Sequence, residues 1–188
     1  MLTKLVQILF LPQSEVRRKV MELFCSTFYT SNYYPARKSD NTTRLFYRYL
    51  ITGWKQGHNP NPLFLTRFYL WKYPDVKRSR YEPLTHYVLF GEKEGRLPNP
   101  FFWPDYYRDT YPDTKNFSGS LLKHFLTYGM PEQRDPSPLF DTSFYVKQNP
   151  DFDEETKRSA LVHFLHYGIH ELRSPHQIMK SIRYRLYN

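Results

Sequence analysis

Three histidines stand at equivalent places in short apolar stretches, His86, His124 and His163, and Arg48 takes the same place upstream. A Gln or Glu recurs after each stretch, at Gln56, Glu94, Glu132 and Glu171, and two residues on comes a base, His58, Arg96, Arg134 or Arg173. Imidazole titrates near neutral pH, and an arginine fork grips carboxylate or phosphate at two points. Arg96, Arg134, Arg173, His86, His124 and His163 are therefore the candidate binding residues. A second reading competes with the first and is preferred. One polar residue per copy at a fixed place is what an inter-unit fastener looks like. The histidine would satisfy a backbone carbonyl or the Glu, and the Glu and Arg would cap a helix end and pair with the next unit.

Other chemistry has little to stand on. Ser118 and Ser120 lack a paired base, and no phosphate loop, HExxH or calcium-loop spacing occurs. His163, His166 and His170 are spaced three and four apart, as a helical metal site would need, but Gly168 interrupts the helix between them. The expectation is a protein that is not an enzyme, with no catalytic residue, no metal and no cofactor. Trp54, Trp71 and Trp103, with the many tyrosines, raise the possibility of sugar stacking. Trp54 and Trp103 join the candidate binding residues on that ground.

The elements that hold these residues repeat. The glycines Gly53, Gly91, Gly129 and Gly168 are 38, 38 and 39 residues apart. Aromatic pairs travel with them, at Phe28-Tyr29, Phe68-Tyr69, Tyr106-Tyr107 and Phe144-Tyr145, as does Tyr-Pro-Asp or Asn-Pro-Asp at 73–75, 111–113 and 149–151. A fixed period in this range marks a repeat array. Within residues 102–139, Pro104 suits the first turn of a helix, and Asp141 is a natural N-cap for the same element in the next copy. A variable connector follows at 114–119. A second helix runs from about Ser120 to Tyr128, with Leu121, Leu122, Phe125 and Leu126 on a broad apolar face. Gly129, like Gly53, Gly91 and Gly168, is placed as a left-handed cap of that helix. Pro136 and Pro138, matching Pro60/Pro62 and Pro98/Pro100, stiffen an extended exit. The pattern predicts an all-α fold: four units of about 38 residues, two short helices each, stacked as a short solenoid or compact curved array. The units span 24–63, 64–101, 102–139 and 140–178, with a helical cap at 1–23 and a basic tail at 180–188.

Composition sets the limits. Of 188 residues, 19% are aromatic, too many for a disordered chain. The single cysteine, Cys25, excludes an internal disulfide and leans towards a reducing compartment. The net charge of +9 favours acidic partners, but no basic run exceeds Arg17-Arg18-Lys19, so nucleic acid is a weak expectation resting on charge alone. The apolar LVQILFL at 5–11 is too short for a membrane span. It either caps the array, the preferred reading, or lies in a membrane interface with the nearby basic residues on headgroups.

The stretches FYLWKYPDV (68–76), EPLTHYVLFGEKEGRLPNPFF (82–102), PDYYRDTYPD (104–113) and DTSFYVKQNPDF (141–152) resemble a tandem repeat found beside glycosyltransferase domains of bacterial polysaccharide biosynthesis, including rhamnan-synthesis-type proteins. The resemblance covers about residues 24–179. The first unit departs most, with Arg48 for His and no Pro-Asp, and the third and fourth replace the second glycine with Gln133 and Leu172. It implies an accessory module with no carried-over activity: a scaffold or regulator that binds a glycosyltransferase or other envelope-assembly protein, cytoplasmic or peripheral at the inner membrane. The alternative is a module for an acidic glycan or other polyanion, bound through an Arg/Tyr face.

Overall fold

The computed structural model describes residues 15–36, 41–79 and 81–179, and these are all-α, with no strand among them. The chain divides into two compact parts, Met1–Asn99 and Pro100–Asn188. Of the expected N-terminal cap only 15–23 is described, and the tail at 180–188 lies outside the described residues.

In the first part, α1 (Glu15–Glu22) precedes repeat one, formed by α2 (Ser26–Tyr33), α3 (Thr42–Ile51) and a 3₁₀ turn at Gly53–Gln56. Val20 and Leu23 are buried, and α1 packs against the turn at Tyr87–Gly91. Repeat two has α4 (Thr66–Lys72), α5 (Pro74–Arg78) and α6 (Pro83–His86), which runs on into a π turn at Tyr87–Gly91. In the second part, repeat three has α7 (Pro104–Thr110), a 3₁₀ turn at Pro112–Asn116 and α8 (Leu121–His124) with its π turn at Phe125–Gly129. Repeat four has α9 (Thr142–Gln148), α10 (Glu154–Arg158) and α11 (Ala160–His163) with its π turn at Phe164–Gly168. The expectation of two helices per unit is thus corrected. Repeats two to four carry a third helical turn, opened by Pro74, Pro112 or the N-cap Asp153. Proline fixes a helical φ and needs no donor there, so it starts a new turn.

The helix starts follow their capping chemistry. Pro104 lies in the first turn of α7, and the Asp141 carboxylate accepts from the Phe144 N–H at 2.8 Å. Asn41 does the same for Thr43 at 2.7 Å and Asp153 for Thr156 at 2.7 Å.

The proline-rich exits close each unit on its own entry. The Cys25 N–H donates to the Pro60 carbonyl at 2.9 Å and Leu65 to Pro98 at 3.0 Å; in the second part Trp103 donates to Pro136 and Asp141 to Pro175, both at 3.1 Å. Between these prolines sits a buried polar residue. Asn61 donates to the Leu23 carbonyl at 2.7 Å while its oxygen accepts from Leu63 and Phe64, and Asn99 donates to Leu63 at 2.8 Å. Ser137, which lacks an amide, keeps only the accepting half, from Leu139. The core of each unit is aromatic. In repeat two Phe64, Tyr69 and Tyr87 are fully buried, with Tyr69 and Tyr87 edge-on at 6.0 Å and 86°.

Candidate functional site

The recurring polar residues converge once per unit. The first helix sends a buried tyrosine, Tyr29, Tyr69, Tyr107 or Tyr145, across to a histidine Nδ1 at 3.1, 3.1, 3.0 and 3.0 Å. The histidines are His58, His86, His124 and His163. In repeat three the other ring nitrogen, Nε2, lies 3.3 Å from the Asp113 carboxylate. A carboxylate only accepts, so Nε2 carries the proton and Nδ1 accepts from the Tyr107 hydroxyl. Burial comes first among the causes that hold all four imidazoles below their usual value. Burial also raises the phenols, that of Tyr145 to about 12.

The tyrosine hydroxyls explain the glycines. A Cβ on Gly53, Gly91, Gly129 or Gly168 would stand closer than 3.0 Å to the phenol oxygen of its own unit. The left-handed cap expected at these positions is a correction: their φ is not positive, and the left-handed residue comes four places later, at Gly57, Gly95, Gln133 and Leu172. There the helix ends in a Schellman pair. Arg96 N–H donates to the Gly91 carbonyl at 2.8 Å and Gly95 to Glu92 at 3.1 Å, and the same two bonds recur in the other repeats.

The arginines fasten their own unit. Arg96 reaches Asp75 at 2.8 Å and Glu94 at 2.6 Å. Arg134 grips Asp113 with both Nη atoms at 2.9 Å and Glu132 at 2.6 Å. Arg173 pairs with Glu171 and Asn149, with Asp151 at 3.9 Å. Arg96 and Arg134 lie over Tyr73 and Tyr111 at 4.9 and 4.7 Å. Asp75 and Asp113 are held below the usual carboxylate range, mainly by the arginine hydrogen bond. The expected pairing with the next unit is corrected accordingly, because each Asp belongs to the same unit as its Arg. Threonines are among the residues whose bonds pass between neighbouring units, as is Arg67, which donates to the Gln56 carbonyl at 3.3 Å. Thr66 reaches the His58 carbonyl and the Asn59 side chain at 2.7 and 2.9 Å, and Thr142 reaches Arg134 and Asp135 at 3.1 and 2.8 Å.

The structure therefore brings His86 with Arg96, His124 with Arg134 and His163 with Arg173. Trp54 and Trp103 belong to no such cluster: their indole N–H groups donate to the Leu50 and Pro100 carbonyls at 3.1 and 3.0 Å. Trp71 is the exposed tryptophan, at 73%. Among the described residues no group of three His, Cys, Asp or Glu could hold a metal ion.

Sequence reasoning missed the exposed residues that sit on this ladder. Phe90, Tyr128 and Tyr167, each just before its glycine, are 41%, 46% and 60% exposed. Each covers a histidine, at ring separations of 5.5, 5.1 and 5.5 Å. The signal was the shared position, one residue ahead of the glycine. The partner aspartates were also missed as partners, although Asp75 and Asp113 each precede their arginine by 21 residues.

Among the described residues no helix is long and apolar enough to cross a membrane. Comparison of the chain with family models, with curated proteins and with solved structures gives no match.

Proposed function

We propose that the chain is a non-catalytic helical-repeat scaffold or regulatory protein that binds a glycosyltransferase or other polysaccharide-assembly protein. The four units would act together as one array, at the inner face of the membrane. The observation that carries this reading is the contrast between two layers of each unit. The polar ladder is spent on internal bonds, whereas the residue above it, Phe90, Tyr128 or Tyr167, offers an exposed ring at the same place in each of three units. Rings held rigidly by a fastened unit suit protein recognition, where aromatic anchors dominate binding. The resemblance of residues 24–179 to repeats beside glycosyltransferase domains supplies the class of partner.

The test is affinity purification from the native source with the intact chain and with Phe90→Ala/Tyr128→Ala/Tyr167→Ala, both checked by circular dichroism. A glycosyltransferase or envelope-assembly protein recovered with the intact chain and lost from the folded triple variant supports the reading. Recovery of no such protein, or equal recovery with both, overturns it. The arginine face offers less to a polyanion, since each guanidinium of repeats two and three already holds two carboxylates.

A further inference from the structure

Repeat one departs from the other three in one respect that bears on ligands. Its Arg and His have changed places. Arg48 stands where the other units have histidine, and His58 stands where they have arginine. His58 takes over both roles at its position. Its Nδ1 meets the Tyr29 hydroxyl at 3.1 Å, and its ring stacks on Tyr33 at 3.9 Å and 4°, where Arg96 lies over Tyr73 in repeat two. Arg48 lies over the neighbouring Tyr34 at 4.7 Å, and Tyr34 meets His58 edge-on at 6.1 Å.

The acids did not follow. The places of Asp75 and Glu94 are taken here by Pro35 and Gln56. A second guanidinium closes in from the next unit: Arg67 packs over Gly57 and donates to the Gln56 carbonyl at 3.3 Å. Among the described residues no carboxylate pairs with Arg48 or Arg67. In repeats two and three the equivalent guanidinium is flanked by two carboxylates.

From this juxtaposition we infer that Arg48, His58 and Arg67, grouped around Tyr33 and Tyr34, form a binding site for a small anion bearing a carboxylate or phosphate group. Such an anion supplies the negative charge that the other units carry as Asp and Glu. Arginine forks match both groups geometrically, and the Nε2 of His58 carries a proton to donate once Nδ1 accepts from Tyr29. Part-burial of the site strengthens the attraction relative to open water. Burial, and then the Arg67 charge, hold the His58 imidazole below its usual value, so a bound anion would act in the opposite sense. Tyr29, Tyr33, Tyr34, Arg48 and Arg67 are the titratable groups that face it. The site is independent of the partner-docking reading above, since it uses none of the exposed rings.

The test is an NMR titration of the full-length protein, following the histidine ring resonances at constant ionic strength. One arm adds inorganic phosphate and the other glucuronate, a carboxylated sugar; the arm that saturates at lower concentration identifies the group preferred. The expected result is a saturable shift confined to His58, with His86, His124 and His163 unmoved and the His58 titration midpoint raised. Gln56→Glu restores the acid of the other units, and Arg48→Gln removes a fork. Each should weaken binding about tenfold, or roughly 1.4 kcal/mol, in a protein whose other histidines keep their native shifts. Shifts that grow linearly in both arms, that move all four histidines alike, or that persist unchanged in both variants would overturn the site.

Discussion

The Tyr69 hydroxyl lies so close to Gly91 that a Cβ there would stand nearer than 3.0 Å to it, with the phenol ring carbon at 3.4 Å. The same hydroxyl is engaged 3.1 Å from His86 Nδ1. It cannot retreat without giving up that bond. Gly91→Ala should therefore cost about 1–3 kcal/mol, the usual range for forcing a methyl into a packed site. Gly129→Ala should behave alike. Urea unfolding measures both, and a loss below about 0.5 kcal/mol would show that the tyrosine moves freely.

Removing the hydroxyl instead isolates the hydrogen bond. Tyr107→Phe leaves the His124 Nδ1 without its donor in a site where the ring is largely buried. The expected cost is about 1–2 kcal/mol. In the NMR spectrum of the variant, the His124 Nδ1 resonance should shift while Nε2, held by Asp113, keeps its proton.

The exchanged pair of repeat one predicts coupling. Arg48→His alone puts two imidazoles in one cluster, and His58→Arg alone deprives Tyr29 of its nitrogen partner. The double swap restores the histidine and arginine positions of repeat two, without its two acids. Each single change should destabilise by about 1 kcal/mol, and the double should recover most of the sum, giving a coupling energy near 1 kcal/mol in a double-mutant cycle. Additive losses would show that the two positions act separately.

Stability should fall on mild acidification. His58, His86, His124 and His163 all sit below their usual value because of burial, so the unfolded chain binds protons first. Their contribution is complete above the unfolded value of about 6.5 and is lost as pH drops from there through the lower folded values. Glu82, buried at 2% exposure and capping α6 through Leu84 and Thr85, runs the other way: burial raises its carboxyl. Its contribution is greatest below the unfolded glutamate value and declines as pH rises through the folded one. Glu82→Gln removes that opposing slope, so the acid loss of melting temperature should be steeper in the variant than in the parent.

The last prediction concerns backbone strain. Gln133 and Leu172 hold φ of 55° and 57°, positions that Gly57 and Gly95 fill in the first two repeats. Leu172 is exposed, so little packing is lost on its removal. A left-handed leucine costs about 1–2 kcal/mol, part of which glycine returns as extra chain entropy in the unfolded state. Leu172→Gly should therefore raise stability by about 0.5 kcal/mol.

Much of this architecture was legible in the residues. The glycine spacing marked the period, Asp141 and Pro104 marked helix starts, and the paired prolines marked the exits. Meaning was harder to read than position. A glycine that ends an apolar stretch suggests a left-handed cap, yet Gly91 and Gly129 serve a tyrosine some twenty residues upstream, and local reasoning has no view of that approach. The short third turns, such as Pro74–Arg78, are too brief to show helical periodicity. The Arg–Asp pairs are invisible to rules about neighbours three or four residues apart. The exchange of Arg48 and His58 was present in the letters as a departure of the first unit, and Tyr29 and Tyr33 show that His58 takes both roles in its cluster.

The closure of each unit on its own entry, Leu65 to Pro98 or Trp103 to Pro136, bears on how the chain acquires its shape. Every fastener described joins residues fewer than forty apart, so no part of a unit waits for a distant stretch of chain to arrive. Short loops close quickly, and such low contact order favours rapid folding that can begin in any unit. On a ribosome, a unit could set its tyrosine against its glycine as soon as its second proline emerged, before the following copy had been synthesised.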